Sequence, residues 1–281
     1  MSPDGTLFLR VDGVSIDPSR PAVSAADRGF GYGDGVFRTV RLAGGHVAAW
    51  HRHAAKLADD LTRLQLGPPD LLRIESDLSD LAAEHPDCVA RITVTGGAST
   101  RGYRRRHGAP LCTVLRATLP PVVPPEAARA GIELYLCRLR LADQPALAGV
   151  KHLNRLEQVL ARAEWDDERM PEGLTLDAAG HAICGTMSNL FIAEGERLAT
   201  PDLSRCGVAG VQRGRILDWA RAAGIACTIE PLPLARVLAA DALVMCNSVA
   251  GSWWVRRLCD RTFARPAWHA ALLDHLGQDG S

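Results

Sequence analysis

The sequence lacks an excess of charge of either sign, and it lacks any long apolar run. Its 281 residues include 32 basic and 32 acidic ones, which gives no electrostatic reason to bind nucleic acid or an anionic membrane. No stretch approaches the roughly 20 apolar residues that span a bilayer. The opening residues MSPDGTLFLRVDG have no basic region followed by an apolar one, so no secretory signal is predicted. We therefore expect a cytoplasmic protein with no nucleic-acid partner and no membrane partner.

Motifs for metals, disulfides and hydrolases are missing as well. The eight cysteines form no C-x-x-C pair, and in a chain of this length they are more often reduced and buried than joined in a disulfide framework. The nine histidines form neither H-E-x-x-H nor a zinc-finger spacing, so no metal is predicted. The absence of G-x-S-x-G leaves an α/β-hydrolase triad without support.

Two glycine clusters are present, and each leaves alternatives open. DRGFGYGDGVF, residues 27–37, matches neither nucleotide-binding glycine pattern and by itself is typical of a tight turn. In CGVAGVQRGRIL a helix is expected to begin after Gly210, and its first N–H groups, those of Val211 and Gln212, could bind a phosphate. Many helices begin after glycine for structural reasons alone, so this stretch does not decide the question.

Proline marks a clear break in the hydrophobic pattern. The stretch LPPVVPP, residues 119–125, cannot easily continue a strand or begin a helix. We therefore predict an α/β (α+β) protein in two parts. A small N-terminal α/β domain covers residues 1–118, a linker covers 119–126, and a larger C-terminal domain covers 127–281.

Hydrophobic periodicity predicts the helices and strands of both parts. Apolar residues in steps of three and four predict helices, and β-branched runs ended by glycine or proline predict strands. The helix after Lys151 is predicted to bury four residues, namely Leu153, Leu156, Leu160 and Ala163. The other predicted elements are a hairpin over 7–16, helices in HVAAWHRHAAKLADDLTRLQL, DLLRIESDLSDLAAEH and GVQRGRILDWARAAG, strands in CVARITVTGG, LCTVLRATL and GIELYLCRLRL, hairpins in GLTLDAAGHAI and SNLFIAEGERLATP, and a strand in DALVMCNSVAGSWWV that ends at Asn247. The tail after residue 259 shows little pattern.

Lys151 stands out because it follows the apolar residues LAGV. A solvated surface position is the ordinary explanation for a lysine. A lysine at the edge of a buried segment can instead become a nucleophilic amine, which a Schiff base with a carbonyl cofactor requires. The residues alone leave these two explanations balanced.

Four stretches resemble a known family. They are DRGFGYGDGVFRTV, KHLNRLEQVLARAE, TMSNLFIAEGERLATPDLSRCGVAG and ALVMCNS. In order and spacing, from about Leu7 to about Val255, they are similar to the class IV pyridoxal-phosphate enzymes of fold type IV. That family includes branched-chain and D-amino acid aminotransferases and 4-amino-4-deoxychorismate lyase, and KHLNRLEQVL with the RGY of residues 101–103 most resembles the lyase. The resemblance implies a fold like that of D-amino acid aminotransferase, pyridoxal 5′-phosphate as cofactor, a site between the domains and a homodimer.

The resemblance also implies roles for individual residues. Lys151 would hold the cofactor covalently and later act as the base. The cofactor would also be bound by Lys56, Cys184, Asn189, Val211, Gln212 and Ser248. The small-molecule substrate would be bound by Tyr32, Arg101, Tyr103 and Asn247. Thr39 and Asn247 are the candidates for protonating the leaving group, and Arg101 is the candidate for a substrate carboxylate.

Two positions depart from the family's pattern. The family usually has a glutamate five residues before the asparagine of its SNLF-type motif, facing the pyridine nitrogen, and counting back from Asn189 gives Cys184. A neutral thiol is a weak hydrogen-bonding group, so the cofactor ring is expected to be a weaker electron sink. Lys56 stands where an arginine usually binds the phosphate, and lysine keeps the charge without the planar fork of arginine.

The activity that the resemblance implies is conversion of aminodeoxychorismate to 4-aminobenzoate and pyruvate in folate synthesis. Formation of an aromatic ring drives that reaction, so a weaker electron sink is tolerable. A class IV aminotransferase would ask more of the cofactor ring. A degenerate, non-catalytic relative that only binds cofactor or a partner is favoured by Cys184 and Lys56 and opposed by the intact Lys151.

Overall fold

The computed structural model describes residues 5–106, 108–121 and 130–278. By its internal contacts the chain forms two compact units. The described part of the first unit consists of residues 5–106 and 108–121 together with Lys151–Asn154. The described part of the second unit consists of residues 130–150 and Arg155–Gln278. Residues 122–126 of the predicted linker lie outside the described residues, so the predicted domain boundaries stay a prediction. The packing of Lys151–Asn154 within the first unit has a physical cause in its hydrogen bonds, which are given below.

The first unit is built on an antiparallel sheet. Its strand order is β2-β1-β6-β5-β3-β4. The strands are β1 (Thr6–Val11), β2 (Val14–Ser15), β3 (Gly35–Ala43), β4 (His46–Val47), β5 (Cys88–Thr95) and β6 (Cys112–Thr118), and the helices are α1 (Arg28–Tyr32), α2 (Trp50–Arg63) and α3 (Leu71–Glu84). The opening hairpin, the two long helices and the two later strands are where the sequence pattern predicts them.

Helix α2 shows why periodicity works in this unit. Ala54, Leu57 and Leu61 of the predicted apolar face are buried, and α2 packs on β3. His53 and Asp60 are also buried on this helix, although they are polar. The glycine-rich stretch forms the short helix α1, which ends at Gly33, and the start of β3. The tight turn expected here is therefore a single helical turn.

The second unit is built on a larger mixed sheet. Over the described residues its strand order is β12-β11-β10-β14-β15-β7-β8-β9-β13, with β16 paired to β15. The strands are β7 (Ile132–Leu141), β8 (Glu172–Asp177), β9 (His181–Gly185), β10 (Asn189–Glu194), β11 (Arg197–Pro201), β12 (Cys227–Glu230), β13 (Leu232–Pro233), β14 (Ala242–Asn247), β15 (Gly251–Leu258) and β16 (Arg261–Thr262). The helices are α4 (Leu156–Arg162), α5 (Val211–Ala222), α6 (Leu234–Ala239) and α7 (His269–Gln278).

Both predicted hairpins of this unit, the helix after Gly210 and the strand that ends at Asn247 are confirmed. Helix α5 packs on β14, where Ile216 and Trp219 meet Val244. The prediction missed β15, because GSWWV was assigned to a loop, and it missed helix α7 in the tail. It also assigned no element to β12, β13, β16 or helix α6. None of the helices in the described ranges combines the length and the apolar character that a membrane crossing requires.

A helix after Lys151 is confirmed as α4, but the buried face predicted for it was wrong. The chain from Lys151 to Arg155 is not helical, and the helix begins only at Leu156. Leu156 and Leu160, predicted to be buried, are 67% and 53% exposed, and Ala163 is exposed as well. Ala161, rather than the leucines, packs in the apolar cluster with Cys137 of β7 and Trp165, because the spacing of apolar residues does not determine which face of the helix is covered.

Candidate functional site

The backbone N–H and the backbone carbonyl of Lys151 are both hydrogen-bonded within the first unit. Its N–H donates to Oδ2 of Asp60 at 3.1 Å, and its carbonyl accepts from the N–H of Phe37 at 3.0 Å. Two residues later the N–H of Leu153 donates to the carbonyl of Gly35 at 2.9 Å. The segment therefore continues the sheet alongside the start of β3, which fixes the backbone from which the lysine side chain projects.

The glycine-rich stretch closes the other end of this segment. Nδ2 of Asn154 donates to the carbonyl of Gly33 at 3.1 Å. Gly33 has a φ of 65°, and a Cβ there would lie 2.4 Å from Oδ1 of Asn154. Only glycine combines that conformation with so close an approach. The structure thus brings together DRGFGYGDGVF and KHLN, two of the stretches that carry the family resemblance.

Gly33→Ala is therefore expected to lower the free energy of unfolding by about 1–3 kcal/mol, because it adds backbone strain and a steric clash with Asn154. Gly31→Ala is the matched control, since a Cβ at Gly31 meets nothing within 4 Å and its φ is not in the left-handed region. Urea denaturation measures both variants. Equal midpoints for the two would contradict this role of Gly33.

The side chain of Lys151 lies against an aromatic ring on one face of β3. Its Nζ is 4.5 Å from the centre of the Phe37 ring, and the Arg91 guanidinium carbon is 3.7 Å from the same centre. Thr39 shares this face, because it is two residues from Phe37 and pairs directly with Arg91 of β5. The structure therefore places the two predicted catalytic residues, Lys151 and Thr39, on one surface with an added cation.

Lys56 has acidic partners in this structure. It pairs with Asp59 at 3.1 Å and with Asp60, one turn away on α2. Burial lowers the pKa of Lys56, and its hydrogen bond with Asp59 opposes that shift. Asp60 also pairs with Arg38, so this one carboxylate joins two cations to the backbone of Lys151. The predicted contact of Lys56 with a phosphate stays a prediction.

A buried arginine organises the loop that carries the predicted substrate residues. Arg28 donates to Oγ of Ser99 at 3.2 Å and to the carbonyls of Gly102 and Tyr103 at 3.1 and 2.9 Å. Its Nε donates to Asp34 at 2.7 Å. Burial opposes the ionisation of Asp34, but the hydrogen bonds from Arg105 and Arg28 outweigh it and hold the pKa of Asp34 below its ordinary value.

Three of the four predicted substrate residues meet at this loop. The Tyr32 hydroxyl accepts from the N–H of Gly102 at 3.1 Å, and the Tyr32 and Tyr103 rings are 5.4 Å apart. Tyr32 and Arg101 also line an open cavity of about 230 Å³. Its other lining residues are Ala25, Ala26, Asp27, Gly31, Ser99 and Thr100. Tyr103 lies outside this lining and is 86% exposed.

In the second unit, the start of α5 presents backbone N–H groups. Over the described residues no side chain caps this end. Oδ1 of Asn189 accepts from the N–H of Gly210 at 3.2 Å, and its Nδ2 donates to the carbonyl of Val208 at 2.8 Å. A Cβ on Gly210 would lie 2.4 Å from Oδ1 of Asn189. The N–H groups of Val211 and Gln212 in the first helical turn thus have a fixed position that suits an anion.

The end of β14 lies at the same edge of the sheet as Asn189. Asn189 pairs with Cys246, so Asn247 and Ser248 follow directly at that edge. Oδ1 of Asn247 accepts from the N–H of Val249 at 2.9 Å, which makes this oxygen part of the turn. The predicted roles of Asn247 toward substrate and of Ser248 toward phosphate stay predictions.

Cys184 is buried on β9 among apolar side chains. Its Sγ lies 3.6 Å from Oγ1 of Thr175. The cluster that surrounds it consists of Leu141, Ile183, Leu203 and Cys206. The position where the family usually has a glutamate is therefore occupied by a packed thiol, and its contact with a cofactor stays a prediction.

Two fully buried acids, Asp60 and Glu172, were missed by reasoning from the sequence. Asp60 carried a weak signal, because it stands three residues after Leu57 on the apolar side of a helix. Glu172 carried none, since its partners lie at residues 173 and 186–188. Neither acid belongs to a recognisable motif, because most of their partners are brought to them by the tertiary structure.

Comparison with known proteins gives consistent results. The chain is 35% identical to an aminodeoxychorismate lyase of Vibrio harveyi over 230 residues, which cover 82% of this chain and 84% of the relative. It is 23% identical to a D-alanine aminotransferase of Bacillus licheniformis over 246 residues, 85% of this chain and 84% of the relative. The crystal structure of 4-amino-4-deoxychorismate lyase from Pseudomonas aeruginosa matches with a TM-score of 0.90 at 39% identity, covering 97% of this chain and 99% of that one.

The family described as Amino-transferase class IV matches residues 35–258, well over half of the chain. This span includes the Lys151 segment, β3 and the start of α5. The resemblance inferred from the sequence motifs and the fold class expected from it are both confirmed. The chain belongs to the class IV aminotransferase family.

Proposed function

We propose that this protein is a pyridoxal 5′-phosphate-dependent 4-amino-4-deoxychorismate lyase, which converts aminodeoxychorismate to 4-aminobenzoate and pyruvate. The observation that carries the proposal is the setting of Lys151. Its backbone is fixed on both sides, while its amine lies against Phe37 on the face that also carries Thr39 and Arg91. The similarity to lyases at 35% and 39% identity supports this reaction among those of the family.

Residues of the chain suit two groups of the cofactor, its aldehyde and its phosphate. Lys151 supplies the amine for its aldehyde, and the uncapped start of α5, with the N–H groups of Val211 and Gln212, supplies donors for its phosphate. Oε1 of Gln212 already accepts from Arg215 at 3.0 Å, so Gln212 would contribute through its backbone. Ser248 would add a hydroxyl to the phosphate. When bound, the cofactor withdraws electrons from the carbon that carries the substrate's amine.

Each catalytic residue then moves or binds a defined group. Nζ of Lys151, freed when the substrate's amine takes its place, would remove the ring proton at the amine-bearing carbon. Oγ1 of Thr39, or the amide of Asn247, donates a proton to the departing enol of pyruvate. Arg101 binds a substrate carboxylate, with the aromatic rings of Tyr32 and Tyr103 beside it. The ring that remains becomes aromatic, which makes the step favourable even with Cys184 in place of an acid.

The direct test is to incubate purified protein with pyridoxal 5′-phosphate and aminodeoxychorismate and to follow 4-aminobenzoate and pyruvate. Equal amounts of both products are expected. No product from a protein that binds the cofactor would favour the degenerate, non-catalytic alternative.

The aminotransferase alternative is tested separately. In half-reactions with leucine, D-alanine and glutamate, the cofactor is expected to stay mostly in its aldehyde form. Conversion to pyridoxamine phosphate asks more of a protonated ring, for which Cys184 offers no carboxylate. Fast and complete conversion with any of the three amino acids would replace the lyase assignment by an aminotransferase.

Arg101→Ala is expected to raise KM for aminodeoxychorismate by about 10–100-fold with a smaller change in kcat, because it removes a charge-assisted hydrogen bond to the substrate. Arg104→Ala is the matched control, since Arg104 is exposed in the same loop and carries the same charge. Steady-state kinetics measure both variants. An equal rise in KM for the two would point to a general electrostatic effect and against a specific contact of Arg101.

We also propose that the protein is a cytoplasmic homodimer, as the family resemblance implies. Light scattering on the purified protein should give twice the chain mass of 30.2 kDa. A mass of one chain at micromolar concentration would contradict the dimer. Fractionation of the source cells tests the location.

A further inference from the structure

Glu172 is a buried acid with an unusual set of partners. It lies at the start of β8 with 0% exposure, and no cation pairs with it within the described part of the chain. Five donors surround its carboxylate. They are the N–H of Gly173 (2.9 Å), the N–H and Oγ1 of Thr186 (2.8 and 2.6 Å), the N–H of Met187 (3.2 Å) and Oγ of Ser188 (2.6 Å). Such a set suits an ionised carboxylate, which only accepts hydrogen bonds.

Four of these donors come from one turn, residues 186–188, which joins β9 to β10. The turn is closed by the N–H of Gly185, which donates to the carbonyl of Ser188 at 2.8 Å. A Cβ on Gly185 would lie 2.3 Å from Oγ of Ser188 and 2.7 Å from Oε2 of Glu172. The carboxylate and the turn therefore pack at the closest distance that glycine permits, and Glu172 determines the path of the chain there.

This turn leads directly into Asn189. The side chain of Asn189 bonds both the carbonyl of Val208 and the N–H of Gly210, the residue that precedes α5. Glu172 is thus linked to the start of α5 in three steps: its hydrogen bond with Ser188, the peptide bond from Ser188 to Asn189, and the hydrogen bonds of Asn189. A shift of the turn would move Asn189 and, with it, the first N–H groups of the helix.

We propose that Glu172 is a positioning residue for the cofactor's phosphate, acting through the turn 186–188 and Asn189 on the start of α5. This inference rests on the proposed function, because the phosphate group is the part of pyridoxal 5′-phosphate that α5 binds there. Glutamine replaces Glu172 poorly, since its NH2 group would face a backbone N–H donor of Thr186, Met187 or Gly173, and only the hydroxyls of Thr186 and Ser188 could turn to accept from it. The turn would then have to rearrange or leave buried donors without acceptors.

The test compares the affinity of the apoprotein for pyridoxal 5′-phosphate and for pyridoxal, which lacks the phosphate. Both titrations are followed by absorbance and by tryptophan fluorescence. Glu172→Gln is expected to raise Kd for pyridoxal 5′-phosphate about tenfold or more, and to leave Kd for pyridoxal within about twofold. Asn189→Ala should change the same ratio in the same direction, because it removes the next link.

Glu133→Gln is the matched control. Glu133 is a buried acid of the same unit, but its partners are Arg256 and Arg257. It should leave the ratio of the two dissociation constants unchanged. Should Glu172→Gln fail to fold, Ser188→Ala and Thr186→Val each remove one hydroxyl donor, and each is expected to change the ratio about threefold.

The outcomes separate the two proposals. Equal weakening of both ligands in the Glu172 and Ser188 variants would show a general structural role and would overturn the inference while leaving the lyase proposal in place. An unmutated protein that binds the phosphorylated cofactor no better than pyridoxal would overturn the proposed phosphate site itself. A selective loss for the phosphorylated cofactor supports the inference.

Discussion

Lys151→Ala is expected to abolish 4-aminobenzoate formation, with a loss of at least about a thousandfold in kcat. The substitution removes the covalent attachment of the cofactor and the base that takes the ring proton, and no neighbouring group can perform both tasks. Borohydride reduction of the unmutated protein with cofactor, followed by peptide mapping, should place the label on Lys151. The Lys151→Ala protein should carry no label at all.

The low lysine content makes this experiment unusually clear. The chain contains two lysines, Lys56 and Lys151, so a reductively attached cofactor has only two lysine side chains on which to be found. Lys56→Ala is the control, and it is expected to keep the label and to lose activity only through weaker cofactor binding. Label on Lys56 in the unmutated protein, or more than about a tenth of the activity left in Lys151→Ala, would contradict the mechanism.

Asp60→Asn is expected to lower the free energy of unfolding by about 3–5 kcal/mol, because it leaves buried positive charge without its carboxylate. Asp60 is 0% exposed and pairs with Arg38 and Lys56. Burial lowers the pKa of the Arg38 guanidinium to about 10, the direction expected for a cation that is removed from water. Urea denaturation followed by circular dichroism measures the loss.

Asp59→Asn is the matched control for this prediction. Asp59 is the next residue along α2 and also pairs with Lys56, but its side chain is 57% exposed. An exposed pair of this kind contributes at most about 1 kcal/mol. If the two variants unfold at the same urea concentration, burial of the Asp60 pairs does not stabilise the protein in the way proposed here. Asp60→Asn should also impair turnover, since Asp60 accepts the N–H of Lys151.

Much of the fold could be predicted because local patterns matched the tertiary environment. Helix α2 has its leucines at helical spacing, and the sheet against which it packs buries the face that they form. The hairpin of β10 and β11 turns at Gly195, whose φ of 59° is one that glycine adopts without strain. The same reasoning gave the wrong buried residues for helix α4, because the spacing of apolar residues shows which face is apolar but not whether another part of the protein covers that face.

The residues around the proposed site also fall into two groups, those that sequence motifs predict and those that only the structure reveals. The motifs predict Lys151 as the reactive lysine through the family resemblance, and they predict the start of α5, which the structure confirms, because a helix start after glycine leaves a local signal in the sequence. The partners of those groups left none. Lys56 carries the charge expected of a phosphate ligand, yet in the structure it pairs with acids one turn away on its own helix.

The sequence by itself determined the family and the order of most of the helices and strands, since each of these depends on residues that are close along the chain. It also predicts Lys151 as the reactive lysine. The tertiary structure decided which buried carboxylates hold those parts in place. Asp60 is hydrogen-bonded to Lys151, which lies 91 residues away in the sequence, and Glu172 is hydrogen-bonded to Ser188, which lies 16 residues away. A buried acid is stable only where the folded chain surrounds it with donors or cations, and local sequence patterns do not specify those long-range neighbours.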